Sequence, residues 1–278
     1  LSIRATQHGA AGVLILAVLA IVLVCLGATS VLSRIAASND DSGKAVVLLA
    51  KAQANLEAYA ASAQRLPCPA NPALDNGVEV PNPLDPAGCS IPDGTLPWLT
   101  IGLRREDAYD PWGRKLSYRV YTGNKGSLTQ PGGVSMVNCD LIEPSPGGTT
   151  SVSGALGGLC EPGATIQDRN TTTDQFLNGK GLDLTDMDQP IFHDVAYVIV
   201  SHGASGYGGY TISGARLDMP SGDEKKNCDP NGPFTIKAHS DPDTNYSSSQ
   251  HFDDYLAYRR IDDLVRRIGL YARDWPET

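Results

Sequence analysis

Ser201-His202-Gly203-Ala204-Ser205-Gly206 sets a hydroxyl beside an imidazole at the end of an apolar run, the residue types a hydrolase uses as nucleophile and base. The spacing of a nucleophile elbow is missing. Adjacent residues on a strand also point to opposite faces, so His193, Asp194 and His202 do not read as a triad. All are expected as strand-end or loop residues. Gly206-Tyr207-Gly208-Gly209 opens no helical pattern and reads as a turn rather than a phosphate cradle. Oxygen ligands are more suggestive. Asn227, Asp229 and Asn231, followed by Gly232, have the spacing of a calcium loop, and Asp241, Asp243 and Asn245 repeat it. Ala238 and Phe252 stand where each loop would need its bidentate glutamate, so a solvated Asx-rich turn competes with Ca2+ at both. Calcium is the cofactor expected if there is one.

Cysteine adds a second kind of chemistry. Cys68, Cys89, Cys139, Cys160 and Cys228 follow an apolar N-terminal region that itself holds Cys25. No CxxC or Cys/His zinc spacing occurs, and disulfides are the default in a loop-rich extracytoplasmic domain. Cys68 with Cys89 and Cys139 with Cys160 are the nearest pairings, each around a Gly/Pro-rich loop. Other connectivities stay open, and one of the five is left over or pairs between chains. Asn170-Thr171-Thr172 and Asn245-Tyr246-Ser247 match glycosylation sequons, which recur by chance in such loops.

The elements that position these residues differ sharply along the chain. Its 278 residues carry a net charge of −9 and 41% apolar residues, enough for a sizeable core. The acidic balance, with no basic run longer than pairs such as Arg259-Arg260 and Arg266-Arg267, argues against a nucleic-acid partner. All 19 prolines lie at or beyond Pro67, and of the 29 glycines only Gly9, Gly12, Gly27 and Gly43 precede Arg65. Residues 1–65 are therefore expected as one helical object and 66–278 as a disulfide-containing head. Gly9 to Ser33 carries no charge and spans about 37 Å as a helix, enough to cross a bilayer core. A cleaved signal or a buried core helix are the alternatives, and the length of the run favours the membrane. Ala45, Leu48, Leu49, Ala52, Leu56, Tyr59, Ala60 and Ala63 then form one stripe of an amphipathic helix. Asn39-Asp40-Asp41-Ser42-Gly43 is either a break with Asp41 or Ser42 capping this helix or a polar patch on one continuous helix, and Leu66-Pro67 ends it.

Strands are expected over 116–121, 195–200, 210–212 and 254–259, with a short helix carrying Ile261, Leu264, Val265 and Ile268. The fold class is α+β: an antiparallel sheet packed on the exposed half of a long N-terminal helix. Trp112, between Pro111 and Gly113, is expected buried where the sheet begins.

A uniformly apolar N-terminal helix leading to an antiparallel sheet resembles type IV pilins and the pseudopilins of type II secretion. Asp110-Pro111-Trp112-Gly113, followed by Arg114-Lys115-Leu116-Ser117-Tyr118, is similar to the turn and strand of pseudopilins. Arg65-Leu66-Pro67-Cys68-Pro69, the segment Gly94 to Leu103, and Phe252-Asp253-Asp254-Tyr255-Leu256 resemble parts of large prepilin-like proteins of Gram-negative bacteria. The resemblance implies a single-pass inner-membrane precursor with a cytoplasmic N-terminus. It implies later assembly with copies of itself and other pilin-like subunits, through dedicated machinery, into a surface filament. It also makes a calcium loop before the C-terminal region relevant.

An apolar helix suits lipid first and a bundle of like helices afterwards, since both exclude water. Core packing is expected through Gly12, Leu16, Leu19, Leu23 and Gly27. Pilins usually carry a glutamate at the fifth mature position. Here Ala5 stands there if the mature chain starts at Leu1, and Leu14 if processing follows Gly9. That departure points to a minor or tip subunit beside the main expectation of a structural subunit. A membrane-anchored periplasmic domain, with or without enzymatic activity, is the further alternative. No catalytic residue is expected.

Overall fold

The computed structural model describes residues 40–85, 88–123, 127–130, 179–186, 189–240, 245–246 and 248–268. The expected span 9–33, the packing residues Gly12, Leu16, Leu19, Leu23 and Gly27, and Cys139, Cys160, Asp241 and Asp243 lie outside them. Among the described residues no helix is long and apolar enough to cross a membrane. The chain divides into two compact units, Leu1–Lys44 and Ala45–Thr278. In the first, Lys44 pairs with Asp40 and, at 3.4 Å, with Asp41.

Residues 40–63 are helical (α1). In the second unit α1 buries Ala45, Leu49, Ala52, Leu56 and Ala60, with Leu48 and Tyr59 packed at the margin. These positions recur at three- and four-residue intervals, which stacks them on one helical face. Val46 and Val47 point away and are exposed. Gln64 takes a left-handed φ of +53°, which ends the helix just ahead of Leu66-Pro67. Composition thus changes after residue 65, whereas compactness changes at 44/45, because α1 from Ala45 on shares its core with the sheet.

The sheet is open, six-stranded and largely antiparallel: β1 (Gly94–Thr95), β2 (Ser117–Val120), β3 (Leu182–Asp186), β4 (Gln189–Ser201), β5 (Phe234–Ile236) and β6 (Tyr255–Arg260). β4 is its spine. One edge of β4 pairs with β3 through Val195 and with β2 through Tyr197 to Val200, and the other edge pairs with β6 from Val195 to Ser201. Among the described strands only β3 and β5 run parallel. Alternate side chains of β4 enter two cores: Tyr197 and Ile199 join the one containing α1, Val198 and Val200 the one containing Phe234. A register shift between Val195 and Tyr197 lets Ala196 join Tyr197 in the α1 core.

The strands expected over 116–121, 195–200 and 254–259 are present. The one expected at 210–212 shrinks to isolated bridges from Tyr210 to Lys115 and Arg216. β3 and β5 fall in stretches expected as turns. They are too short to show a period, and β5 has only Phe234, Thr235 and Ile236. Immediately after β6, α2 (Ile261–Arg267) begins, with Asp262 and Asp263 in its first turn and Arg266 and Arg267 in its last, matching the helix dipole. A disulfide joins Cys68 to Cys89, one of the two nearest pairings, and Cys228 is a buried free thiol.

Candidate functional site

The Asp110-Pro111-Trp112-Gly113 segment is a tight turn whose buried member is Asp110. Gly113 N–H donates to the Asp110 carbonyl at 2.9 Å, and Gly113 adopts φ +81°, a region that favours glycine. The Asp110 carboxylate accepts from the backbone N–H groups of Trp112 (3.1 Å) and Arg114 (2.8 Å), and from the Ser201 hydroxyl at 3.1 Å. Trp112, expected buried, is only half-buried and stacks on Tyr255 with ring centroids 5.9 Å apart. Asp110 rather than Trp112 faces the interior, where its carboxylate satisfies the turn's donors. The Arg114 guanidinium donates to the carbonyls of Gly203 and Ala204, the latter at 2.8 Å. The turn therefore pins the loop that follows β4.

That loop begins with His202, and its partners come from strands far away in sequence. Its Nε2 lies 2.9 Å from the Ser117 hydroxyl on β2, and its Nδ1 lies 3.2 Å from Asp254, just before β6. Asn227 donates to the other Asp254 oxygen at 2.8 Å, while its own carbonyl accepts from Thr235 N–H at 2.8 Å. The Cys228 thiol also lies against His202. Ser117, His202 and Asp254 thus have the order of a serine–histidine–aspartate relay. Two facts set its chemistry. Ser117 is 6% exposed, His202 1% and Asp254 3%, so the hydroxyl presents no face to a substrate. Burial alone would lower the His202 pKa, but the Asp254 carboxylate overrides it and holds the imidazole up at about 10. A charged imidazole donates from both nitrogens, so Ser117 accepts a hydrogen bond rather than surrendering a proton. The arrangement is a buried ion pair with polar ends.

Compared with known proteins, the chain matches no family model, no curated protein and no solved structure.

Beside this chain of hydrogen bonds lies a second cluster. Glu224 sits in the 3-10 helix Gly222–Cys228, and His251 and Asp253 lie on the approach to β6. Glu224 accepts from Asp253 N–H at 2.8 Å, and the Asp253 carboxylate accepts from Ser205 N–H (2.7 Å) and the Ser205 hydroxyl (2.9 Å). Burial, reinforced by the Asp254 charge, pushes the Glu224 carboxyl up to about 9. Among the described residues, Glu224, His251 and Asp253 are the group of three whose ligand atoms all lie within 4.8 Å of one another.

The residues singled out from sequence are distributed unevenly around these clusters. His202 was visible, but its partners Ser117 and Asp254 were not. Ser201 instead bonds Asp110, Asp194 pairs with Arg260 at 3.0 Å, and His193 pairs with Asp183 at the surface. Of the calcium-loop residues, Asn227 spends both ends of its amide inside the protein. Asp229 accepts from Asn231 N–H at 2.9 Å, the Asx turn that competed with a cation there. Glu224, His251 and Asp253 were missed as a cluster. The signal was the density of His251, Asp253 and Asp254 within four positions.

A groove of about 820 Å³ runs between α1 and β6, lined by Val46, Leu49 and Gln53 on one side and by Leu256 and Tyr258 on the other. Gln53 crosses it, donating to the Tyr258 carbonyl at 2.8 Å. That bond helps hold the outer edge of β6 against the helix.

Proposed function

We propose that the chain is a structural subunit of a pilin-like filament. Residues 9–33 would lie in the inner membrane before assembly and in the filament core afterwards, leaving the head on the surface of a Gram-negative cell. Its partners are copies of itself, other pilin-like subunits and the machinery that assembles them. One observation carries the reading. The stripe of α1 is buried under an antiparallel sheet, and the sequence just before α1 holds a 25-residue run without a charge. A helix used on one face by its own head, and preceded by an all-round apolar segment, suits a subunit whose neighbours supply the remaining contacts. Lateral packing of such segments with an axial offset does not close on itself and so builds a filament.

A minor or tip position is the second reading, favoured by Leu14, which stands where a pilin carries its glutamate if processing follows Gly9. The buried, charged state of His202 supports a structural role for Ser117 rather than an enzymatic one.

The test is replacement of residues 9–33 by an unrelated apolar helix of equal length. A plain membrane anchor survives the exchange because lipid asks only for hydrophobicity. A packing segment fails, because contacts around Gly12 and Gly27 depend on shape. Electron microscopy of cells is expected to show filaments with the native segment and none with the exchanged one, at equal levels of folded head. Normal filaments from the exchanged chain, or none from the native chain, overturn the reading. Localisation to filament ends selects the minor-subunit version.

A further inference from the structure

We infer that Glu224, His251 and Asp253 bind a single divalent transition-metal cation of the zinc class, a property independent of the filament reading. The deciding atom is His251 Nε2. The His251 side chain is 4% exposed, and its Nε2 has no hydrogen-bond partner. It faces Asp253 Oδ2 at 3.3 Å and Glu224 Oε1 at 3.7 Å, close contacts that lack the alignment of a hydrogen bond. A buried nitrogen left this way has lost its water without gaining a partner, so something is expected to complete it. A metal ion does so geometrically. Ligand atoms about 2.0–2.2 Å from a tetrahedral zinc stand roughly 3.3–3.5 Å apart, close to the separations His251 already shows.

The orientation of each ligand is fixed from behind. The Ser240 hydroxyl holds His251 Nδ1 at 3.1 Å, leaving Nε2 for the cation. Ser205 holds the Asp253 carboxylate through two hydrogen bonds, and Asp253 N–H holds Glu224. Ligands held by outer hydrogen bonds are the usual construction of a metal site. Charge points the same way. The acidic side chains Glu224, Asp253 and Asp254 crowd into a largely buried place where a cation would relieve their mutual repulsion, and His202 is already committed to Asp254.

The donor set chooses the class of cation. Calcium and magnesium take oxygen ligands, whereas an imidazole nitrogen beside two carboxylates suits zinc and its neighbours. Simple Cys/His spacing did not reveal the site because two of its ligands are carboxylates, and Glu224 lies 27 residues before His251. Bound there, the ion would tie the 3-10 helix Gly222–Cys228 to the segment that leads into β6.

Zinc titration of the full chain, freed of metal by a chelator and read by competition with a chromophoric chelator, tests this. One zinc per chain is expected, with a melting temperature that rises with zinc concentration. His251→Gln and Asp253→Asn should each weaken binding at least about 100-fold while unfolding stays cooperative. His193→Gln, which changes an exposed histidine paired with Asp183, should bind as the native chain does. X-ray absorption on the native zinc complex should show an imidazole nitrogen with carboxylate oxygens, a readout that stands even if a variant fails to fold. Absence of binding, equal binding by the native chain and both cluster variants, loss of binding in His193→Gln, or a zinc shell without imidazole overturns the inference. So does uptake of calcium with refusal of zinc.

Discussion

The core beneath α1 and the polar cluster around His202 share the same strands and are held by opposite means. Beneath α1, Leu49, Leu56, Tyr118, Tyr197 and Ile199 meet through contacts with no required direction. Around His202, Ser117, Asp254 and Asn227 meet through bonds that each need a particular atom at a particular place. The difference teaches where each part tolerates change. An apolar core accepts substitutions that conserve volume. A buried ion pair tolerates almost none, because removing one partner strands the other in a low-dielectric interior. β2 and β4 join both regions: Tyr118 and Ile199 serve the first, Ser117 and His202 the second.

The largest effect is expected from Asp254→Ala. It removes the counter-charge of His202 and the acceptor of Asn227 together, and should cost about 3–5 kcal/mol in denaturant unfolding near pH 6. The cost should depend on pH. His202 is raised to about 10 in the folded chain from an ordinary 6.5, chiefly by Asp254, with Cys228 also facing it. Its stabilisation is therefore fully present below pH 6.5 and is lost as pH rises through 10. At pH 9 roughly 1–2 kcal/mol should remain. A cost that does not change between pH 6 and pH 9 would show that His202 is neutral when folded.

How much of this was legible follows from the same contrast. The stripe of α1 was readable because burial at three- and four-residue spacing leaves a periodic trace in a single segment. β4 and β6 were readable for a similar reason, as apolar or aromatic runs between turns. The turn at Asp110 could be located, but not the fact that Asp110 rather than Trp112 would go inside, which depends on donors supplied by Arg114 and Ser201. The polar clusters left little trace because their members sit at 117, 202, 224, 227, 251, 253 and 254, and only the sheet brings them together. One half of a pair, His202, was visible without anything in its neighbourhood to name the other half.

Leu56→Ala probes the apolar side of the comparison. Leu56 is fully buried in the α1 core, so its truncation should cost about 2–5 kcal/mol in the same unfolding measurement. No titrating group is removed, so the loss should be equal at pH 6 and pH 9. The pH profiles of this variant and of Asp254→Ala should thus diverge, one parallel to the native chain and the other approaching it as pH rises. Parallel profiles for both would mean that the two regions are not held by different forces.

The smallest effect belongs to the turn that links the regions. Trp112 is half-buried and stacks on Tyr255, the first residue of β6, so Trp112→Ala loses part of an aromatic contact without opening a full cavity. About 1–2 kcal/mol is expected, below the range for a fully buried tryptophan. Trp112→Phe, which keeps a ring against Tyr255, should recover about half of that. Asp110→Ala makes the comparison decisive. It leaves two backbone donors and the Ser201 hydroxyl without their acceptor in a buried place, each worth about 1 kcal/mol or more. Asp110→Ala should therefore unfold at a lower denaturant concentration than Trp112→Ala. The opposite ranking would make the indole the anchor of the turn, and would mean that apolar packing rather than directed hydrogen bonds joins the turn to the polar end of the sheet.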